Sequence, residues 1–404
     1  MNRTLTAAAL CVACGCSSSS PSARPTTTDG GTAFKHDIVF TMDLTVPKAT
    51  ELHQCQFVQL PPGPDIYFTG FAHAYTKGSH HFLLYLTDLT SIPADMAGQQ
   101  YDCTTGDEPV MQHAAGILYG AQLPTGAASF PAGVAAKLQG GQVLIMNTHF
   151  LNAGSTDLAT NVTVGLDTTT SDKVTQEGGF FIFYDAFIDV PAGAKASSGA
   201  SCPVPADVHV ITGFTHYHQR GTQMQVFNDL EGQPRAATPF FTTTDWEHPE
   251  QLPATTWPKG SSIRYQCDYM NNDPDEVFQG PNAKTSEMCV LAGLYYPKQA
   301  NSFAYCNQGS WSGFGTNACL SLAQCVQACP ADGAPRKTAT GALVGPCWER
   351  CVASGCDGAV DALLPLVTCV NAKCSAECQA GNCLACTVNN CGTEFSACSS
   401  QTCL

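Results

Sequence analysis

The chain has 404 residues, 44% of them hydrophobic, which is long for one core and implies two or three domains. Only 13% are charged, and 36 Gly with 25 Pro require many turns, which excludes a helical bundle or a disordered chain and favours short strands. With 18 Lys and Arg against 33 Asp and Glu the net charge is −15 and no basic stripe exists, so nucleic acid and anionic membrane surfaces are poor partners.

At the start, Met1-Asn2-Arg3 is a small positive region, followed by an apolar stretch from Leu5 to Ala13 that is too short to span a membrane. Ala13-Cys14-Gly15-Cys16 and then Ser17 to Ser20 resemble a bacterial lipoprotein signal, an ordinary signal peptide being the alternative. There are 23 cysteines; cleavage before Cys16 leaves 21, and lipidating Cys16 leaves 20, an even number that can all pair. Residues 1–15 are therefore the expected signal peptide, Cys16 the lipid anchor and 16–33 a flexible tether. Abundant cysteine also implies an oxidising compartment, either the bacterial cell envelope or the medium.

From Phe34 the texture changes to short β-forming runs at 37–40, 82–85, 143–146, 179–184, 208–211 and 223–227, punctuated by Gly, Pro and Asp. The expected fold class is mainly β, with two antiparallel, jelly-roll-like β-sandwiches at 34–172 and 173–306. Residues 34–305 hold five cysteines and 306–404 hold fifteen, so 307–404 reads as a small, disulfide-rich, partly helical module. Cys325/Cys329, Cys347/Cys351 and Cys374/Cys378 each share one helical face. Cys383-x-x-Cys386 has a zinc or redox reading, but export favours structural disulfides.

Of eleven histidines, His36, His53, His73, His113, His209 and His248 have no partner at a telling spacing and read as structural or exposed. His80-His81 are adjacent, hence on opposite faces of a regular strand, yet at a strand end or bulge one Nδ1 and one Nε2 can reach the same metal. His149 closes an apolar run and by itself reads as a core or rim residue. His216-Tyr217-His218 puts two imidazoles on one strand face. Imidazole suits zinc, copper or iron, so these residues alone leave the metal open. Met288 is by itself core filler, but its thioether suits Cu(I).

The series His80-His81, Asn147-Thr148-His149-Phe150, His216-Tyr217-His218 and Glu287-Met288-Cys289 resembles the copper type II, ascorbate-dependent monooxygenases, the family of peptidylglycine α-hydroxylating monooxygenase and dopamine β-hydroxylase. Phe130-Pro131-Ala132-Gly133-Val134 and Pro258-Lys259-Gly260 with Cys267 also match, and the resemblance covers roughly residues 34–306. It implies two coppers on separate sandwiches across a solvent-filled cleft. His80, His81 and His149 would hold the electron-transfer ion, and His216, His218 and Met288 the catalytic ion that meets dioxygen. It further implies the bridges Cys55–Cys103, Cys202–Cys306 and Cys267–Cys289, the last pinning the segment that carries Met288. The implied co-reactants are dioxygen, a small-molecule substrate, and ascorbate or another one-electron reductant.

The substrate pocket departs from that family. Phe214 stands where the peptide-hydroxylating members carry Arg, Val290 and Ala292 replace their Asn and Tyr, and Asn147 replaces a Gln. A carboxylate would be buried unpaired there, so an apolar or aromatic substrate is expected. The alternatives are a non-catalytic copper-binding surface lipoprotein, and a surface interaction protein acting through the Cys-rich module. Apart from the N-terminal lipid no membrane contact is expected, and no partner of residues 307–404 is specified.

Overall fold

In the computed structural model, the described residues are 35–403 apart from 77, 105–107, 307–309, 312, 330–335 and 338–342. The signal peptide, the Cys16 anchor and the tether fall outside them.

Eleven strands build a first sandwich. They are β1 (Ile38–Val46), β2 (Thr50–Gln59), β3 (Ile66–Tyr75), β4 (Ser79–Thr87), β5 (Gln100–Asp102), β6 (Ala114–Ala121), β7 (Thr125–Ser129), β8 (Val134–Leu138), β9 (Val143–Asn152), β10 (Leu158–Thr169) and β11 (Gln176–Glu177). One sheet runs β1-β10-β3-β8-β11 with β7 on β3, and the other β5-β2-β9-β4-β6. The short β11 pairs parallel with β8, so residues just past the expected boundary complete the edge of this sandwich.

The second sandwich uses β12 (Gly179–Tyr184), β13 (Asp189–Val190), β14 (Lys195–Pro203), β15 (Val208–Tyr217), β16 (Gly221–Asp229), β17 (Phe241–Thr243), β18 (Thr255–Trp257), β19 (Ser262–Met270), β20 (Val277–Phe278), β21 (Cys289–Tyr296), β22 (Tyr305–Cys306) and β23 (Ser310–Trp311). Its sheets run β18-β15-β21-β12-β22 and β17-β16-β19-β14-β23. The fold is therefore mainly β. The six β-forming runs all lie in strands, Asp37 excepted. Alternation explains the one-sided strands such as β19, whose burial strictly alternates. The central β9 is buried on nearly every residue because it is covered on both faces.

The two sandwiches share apolar surface. Phe180, Val290, Ala292 and Leu294 of the second join the cluster of Phe71, Leu118, Tyr119 and Phe130 in the first. The Tyr305 hydroxyl accepts the Ile117 N–H at 3.0 Å across this seam.

After α1 (Asn301–Ala304) the C-terminal residues form α2 (Cys319–Gln327), α3 (Pro346–Ala353), α4 (Ala359–Lys373), α5 (Ser375–Gln379), α6 (Cys383–Asn390) and α7 (Gly392–Ser400). The i, i+4 pairs act as staples: Cys325–Cys351 and Cys329–Cys347 tie α2 to α3, while Cys374–Cys386 and Cys378–Cys383 tie the α4–α5 region to α6. Cys383 and Cys386 are thus in separate bridges. Ten disulfides use all twenty cysteines from Cys55 to Cys403. The module is not set apart, because Trp348, Val352, Leu363 and Leu366 lie in one continuous core with Trp257, Tyr265 and Tyr295 of the second sandwich. Buried Glu349 accepts the Gln279 N–H at 2.8 Å across that contact.

Candidate metal centre

Register builds the centre. His149 on β9 stands directly opposite His53 on β2 and opposite His81 on β4, so three imidazoles from adjacent strands share one face at one rung. The register shifts between Ser79 and His81, a bulge that lets neighbouring His80 and His81 both serve the cluster. Gly78 sits in the turn just before β4 at φ 96°, where a Cβ would also meet the Leu158 side chain at 2.8 Å.

From the other sandwich, His216 lies one residue inside the end of β15, which Tyr217 closes, and His218 follows it. The register Tyr217↔Cys289 sets Met288 one step beyond, beside the level of His218. Met288 is half-buried and packs against the apolar cluster shared by the sandwiches. Its carbonyl accepts the Tyr269 hydroxyl at 2.9 Å. The pairs Cys55–Cys103, Cys202–Cys306 and Cys267–Cys289 are bonded, and the last anchors the residue next to Met288.

The two implied ligand sets meet in one cluster. Ring centroids are 5.2 Å apart for His80–His149, and equally 5.2 Å for His80–His216, His81–His216 and His216–His218. His80–His218 is 6.0 Å and His81–His149 5.1 Å. The expected open cleft between the sets is absent at this point, since the ends of β4 and β15 face each other across the apolar seam and the rings pack together, His81 edge to face with His216 and His80 tilted against His216 and His218. His53, read from sequence as structural or exposed, is 7% exposed and lies tilted against His149, ring centroids 4.1 Å apart. Spacing could not reveal it, because its neighbour His149 is distant in sequence and only strand pairing brings them together.

Six buried ring nitrogens have no hydrogen-bond partner: Nε2 of His53, His80, His216 and His218, and Nδ1 of His81 and His149. The opposite nitrogens of three rings are fixed. His149 Nε2–H donates to Glu51 Oε1 at 2.6 Å, His216 Nδ1–H to Gln122 Oε1 at 2.9 Å, and His218 Nδ1–H to the Ser286 carbonyl at 2.9 Å. The Gln122 amide is oriented in turn, its Nε2 donating to the Trp246 carbonyl at 2.6 Å. Each of these bonds leaves a lone pair on the bare nitrogen facing the cluster. Neither Glu51 nor Gln122 carries a spacing signal in the sequence.

Electrostatics agree with neutral rings at His53, His80, His81, His216 and His218. Burial, then the neighbouring imidazoles, holds His53, His81 and His216 well below the usual histidine range. The same causes bring His80 to about 2, and burial brings His218 to about 4. Burial opposes ionisation of Glu51, yet the hydrogen bonds from His149 and from the Ala283 N–H hold its carboxyl below the ordinary value. Glu287 is fully buried and accepts the N–H groups of His218 at 3.0 Å and Arg220 at 2.9 Å, but burial still pushes it up to about 7.

Gln122 also lines a small open groove together with Tyr119, Phe180, Phe214 and Leu294. None of its lining residues is Asp, Glu, Lys or Arg. Phe214 faces Ala292 across β15 and β21, and His216 faces Val290.

No protein-family model matches the chain, and no curated protein matches it. Solved structures give faint likenesses. A triple jelly roll fold of an archaeal virus turret is 8% identical over 63% of this chain and 58% of its own, TM-score 0.16. This chain therefore spans little more than half of that protein. A CBM22 tandem domain from Paenibacillus barcinonensis Xyn10C is 11% identical over 64% and 91%, TM-score 0.19, and a structure of infectious bursal disease virus Gx strain is 9% identical over 64% and 72%, TM-score 0.15. At such scores these likenesses carry no argument, and the mainly β, disulfide-rich architecture rests on the strands and bridges described above.

Proposed function

We propose that this chain is an exported, lipid-anchored copper protein that hydroxylates a C–H bond of a small apolar or aromatic substrate, using dioxygen and an external one-electron reductant such as ascorbate. One observation carries the reading: six buried imidazole nitrogens converge without partners. Each bare buried polar atom costs about 1–3 kcal/mol, so such a cluster makes physical sense as a set of metal ligands. The donor set fits copper. Neutral imidazole suits it, and Met288 beside His218 offers the soft ligand that favours its reduced form. Bound copper would supply one-electron transfer and activation of dioxygen.

The chain's own groups do the rest. Glu51, Gln122 and the Ser286 carbonyl hold three rings in one tautomer. The Cys267–Cys289 bridge restrains the Met288 segment. The uncharged groove beside Phe214 favours an uncharged substrate, since a buried carboxylate there would lack a partner. Ten disulfides favour an oxidising compartment. Among the described residues no helix is long and apolar enough to cross a membrane.

The second reading, a copper-holding lipoprotein without catalysis, is favoured by the closeness of His80 to His216, which leaves no substrate-sized gap between the rings. Copper stoichiometry and oxygen uptake with ascorbate and a panel of aromatic substrates separate the two. Two coppers per chain, with uptake above the free-copper background that drops in Met288→Ile, support the enzyme. Two coppers with background uptake indifferent to Met288→Ile leave the holding role. One copper, or a preference for zinc, sinks both versions of the two-copper site.

A further inference from the structure

The geometry points to His53 as a ligand of the metal held by the first sandwich, so that this site is the rung His53, His81 and His149, and His80 turns towards His216. The inference rests on the proposal that the cluster binds copper. It departs from the ligand set that the sequence resemblance implies, in which His53 has no part.

Three observations converge. First, His53, His149 and His81 occupy adjacent strands at one register position, so their side chains leave the same sheet face. One nitrogen of each lies within 4.8 Å of the other two, a span that one ion can bridge with modest ring rotation. Second, the bare atoms are His53 Nε2, His81 Nδ1 and His149 Nδ1, all buried. A structural histidine at 7% exposure would have found acceptors for its ring nitrogen, as His73 does with the Tyr119 hydroxyl at 2.7 Å and the Leu123 carbonyl at 2.8 Å. Third, His80 reaches across to the other sandwich as closely as to its own. It lies 5.2 Å from His149 and equally 5.2 Å from His216, 6.0 Å from His218 and 5.4 Å from Trp246, and it forms a second compact group with His81 and His216 rather than with His53 and His149. His81 is common to both groups and marks where they adjoin.

Glu51 strengthens the rung. It orients His149 from the far side and also accepts the Ala283 N–H of the second sandwich at 3.4 Å, so both sandwiches help to set this site.

The test is an anaerobic Cu(I) titration of the full chain against a chromophoric chelator, comparing wild type with His53→Gln, His149→Ala, His216→Ala and the double variants. Folding of each metal-free variant is checked by circular dichroism. His53→Gln should weaken one of two ions by at least about tenfold, as losing even an outer partner does. It should add little to His149→Ala, because the same ion is lost, and should add fully to His216→Ala. Unchanged affinity for both ions in folded His53→Gln overturns the assignment. A second readout needs no substitution at His53: ¹⁵N-histidine NMR of the wild type, since Cu(I) is diamagnetic. His53 Nε2 should shift together with His149 Nδ1, and a shift of His149 alone overturns the inference. A wild-type chain that binds no copper at all fails the functional proposal instead, and takes this one with it.

Discussion

Glu51 Oε1 accepts the His149 Nε2–H at 2.6 Å, and this one bond decides which nitrogen of His149 faces the cluster. With Nε2 protonated towards the carboxylate, Nδ1 carries the lone pair. The same logic fixes His216 through Gln122 and His218 through Ser286.

Removing the carboxylate should therefore weaken metal binding without touching a ligand. Glu51→Leu is expected to lower affinity for one ion by about 10- to 100-fold, the usual effect of losing an outer partner of a ligating histidine. Competitive chelator titration measures it. An affinity equal to wild type would mean that Glu51 does not orient His149.

Gln122→Leu should act on the other half of the centre. It leaves His216 Nδ1–H and the Trp246 carbonyl without their partners, a cost of about 1–3 kcal/mol each where buried. The expected outcome is a lower melting temperature together with weaker binding of the ion lost in His216→Ala. Loss of stability alone, with both ions held normally, would argue against an orienting role.

Acid should destabilise the metal-free chain. Imidazoles of the unfolded chain take protons near pH 6.5, whereas His218 waits until about 4 and His80 until about 2. Between those values the unfolded state binds more protons, so stability rises with pH and is lost on acidification below about 6.5. Asp185 works in the opposite sense: burial raises it to about 6, so its contribution is present in acid and lost as pH rises through 6. Comparing wild type with His80→Asn separates the two, since only the histidine part of the slope should shrink. Melting temperatures across pH 7 to 4 with equal slopes in both proteins would refute the histidine contribution.

Replacing both Cys267 and Cys289 by Ala should cost about 3 kcal/mol by loop-closure entropy for a separation of 22 residues. Beyond that loss, the segment carrying Met288 should loosen. Chemical denaturation gives the first quantity, and hydrogen exchange at residues 286–290 gives the second. Protection unchanged at those amides would show that packing alone holds Met288.

The Cys-rich module and the second sandwich should unfold together, because their core is continuous through Trp348. Trp348→Ala is expected to cost about 3–5 kcal/mol and to lower the transition of both. Calorimetry that resolves a separate module transition, with the sandwich unaffected by the substitution, would refute the shared core.

Much of the fold was legible in the residues. Alternation along β19, the apolar run of β9 and the turn residues between them are local, and so is the i, i+4 spacing that places Cys325/Cys329 and Cys347/Cys351 on helical faces. His80-His81 and His216-x-His218 were visible as candidate ligands for the same reason, since their spacing is a property of the chain itself, whereas His149 entered the set only through the family resemblance. What the chain alone could not decide is everything that depends on register and on packing between sheets. His53 enters the cluster only because β2 pairs with β9 at that offset, and a shift of one residue would send it to the other face. Glu51 and Gln122 reach their histidines from 98 and 94 residues away. Whether the two ligand sets stand apart or meet is set by the apolar seam of Phe180, Leu294 and Tyr119, where burial of side chains from both sandwiches draws the ends of β4 and β15 together. Composition and spacing determined that this is a disulfide-bonded β protein rich in candidate metal ligands, and long-range strand pairing decided which of those ligands face one another.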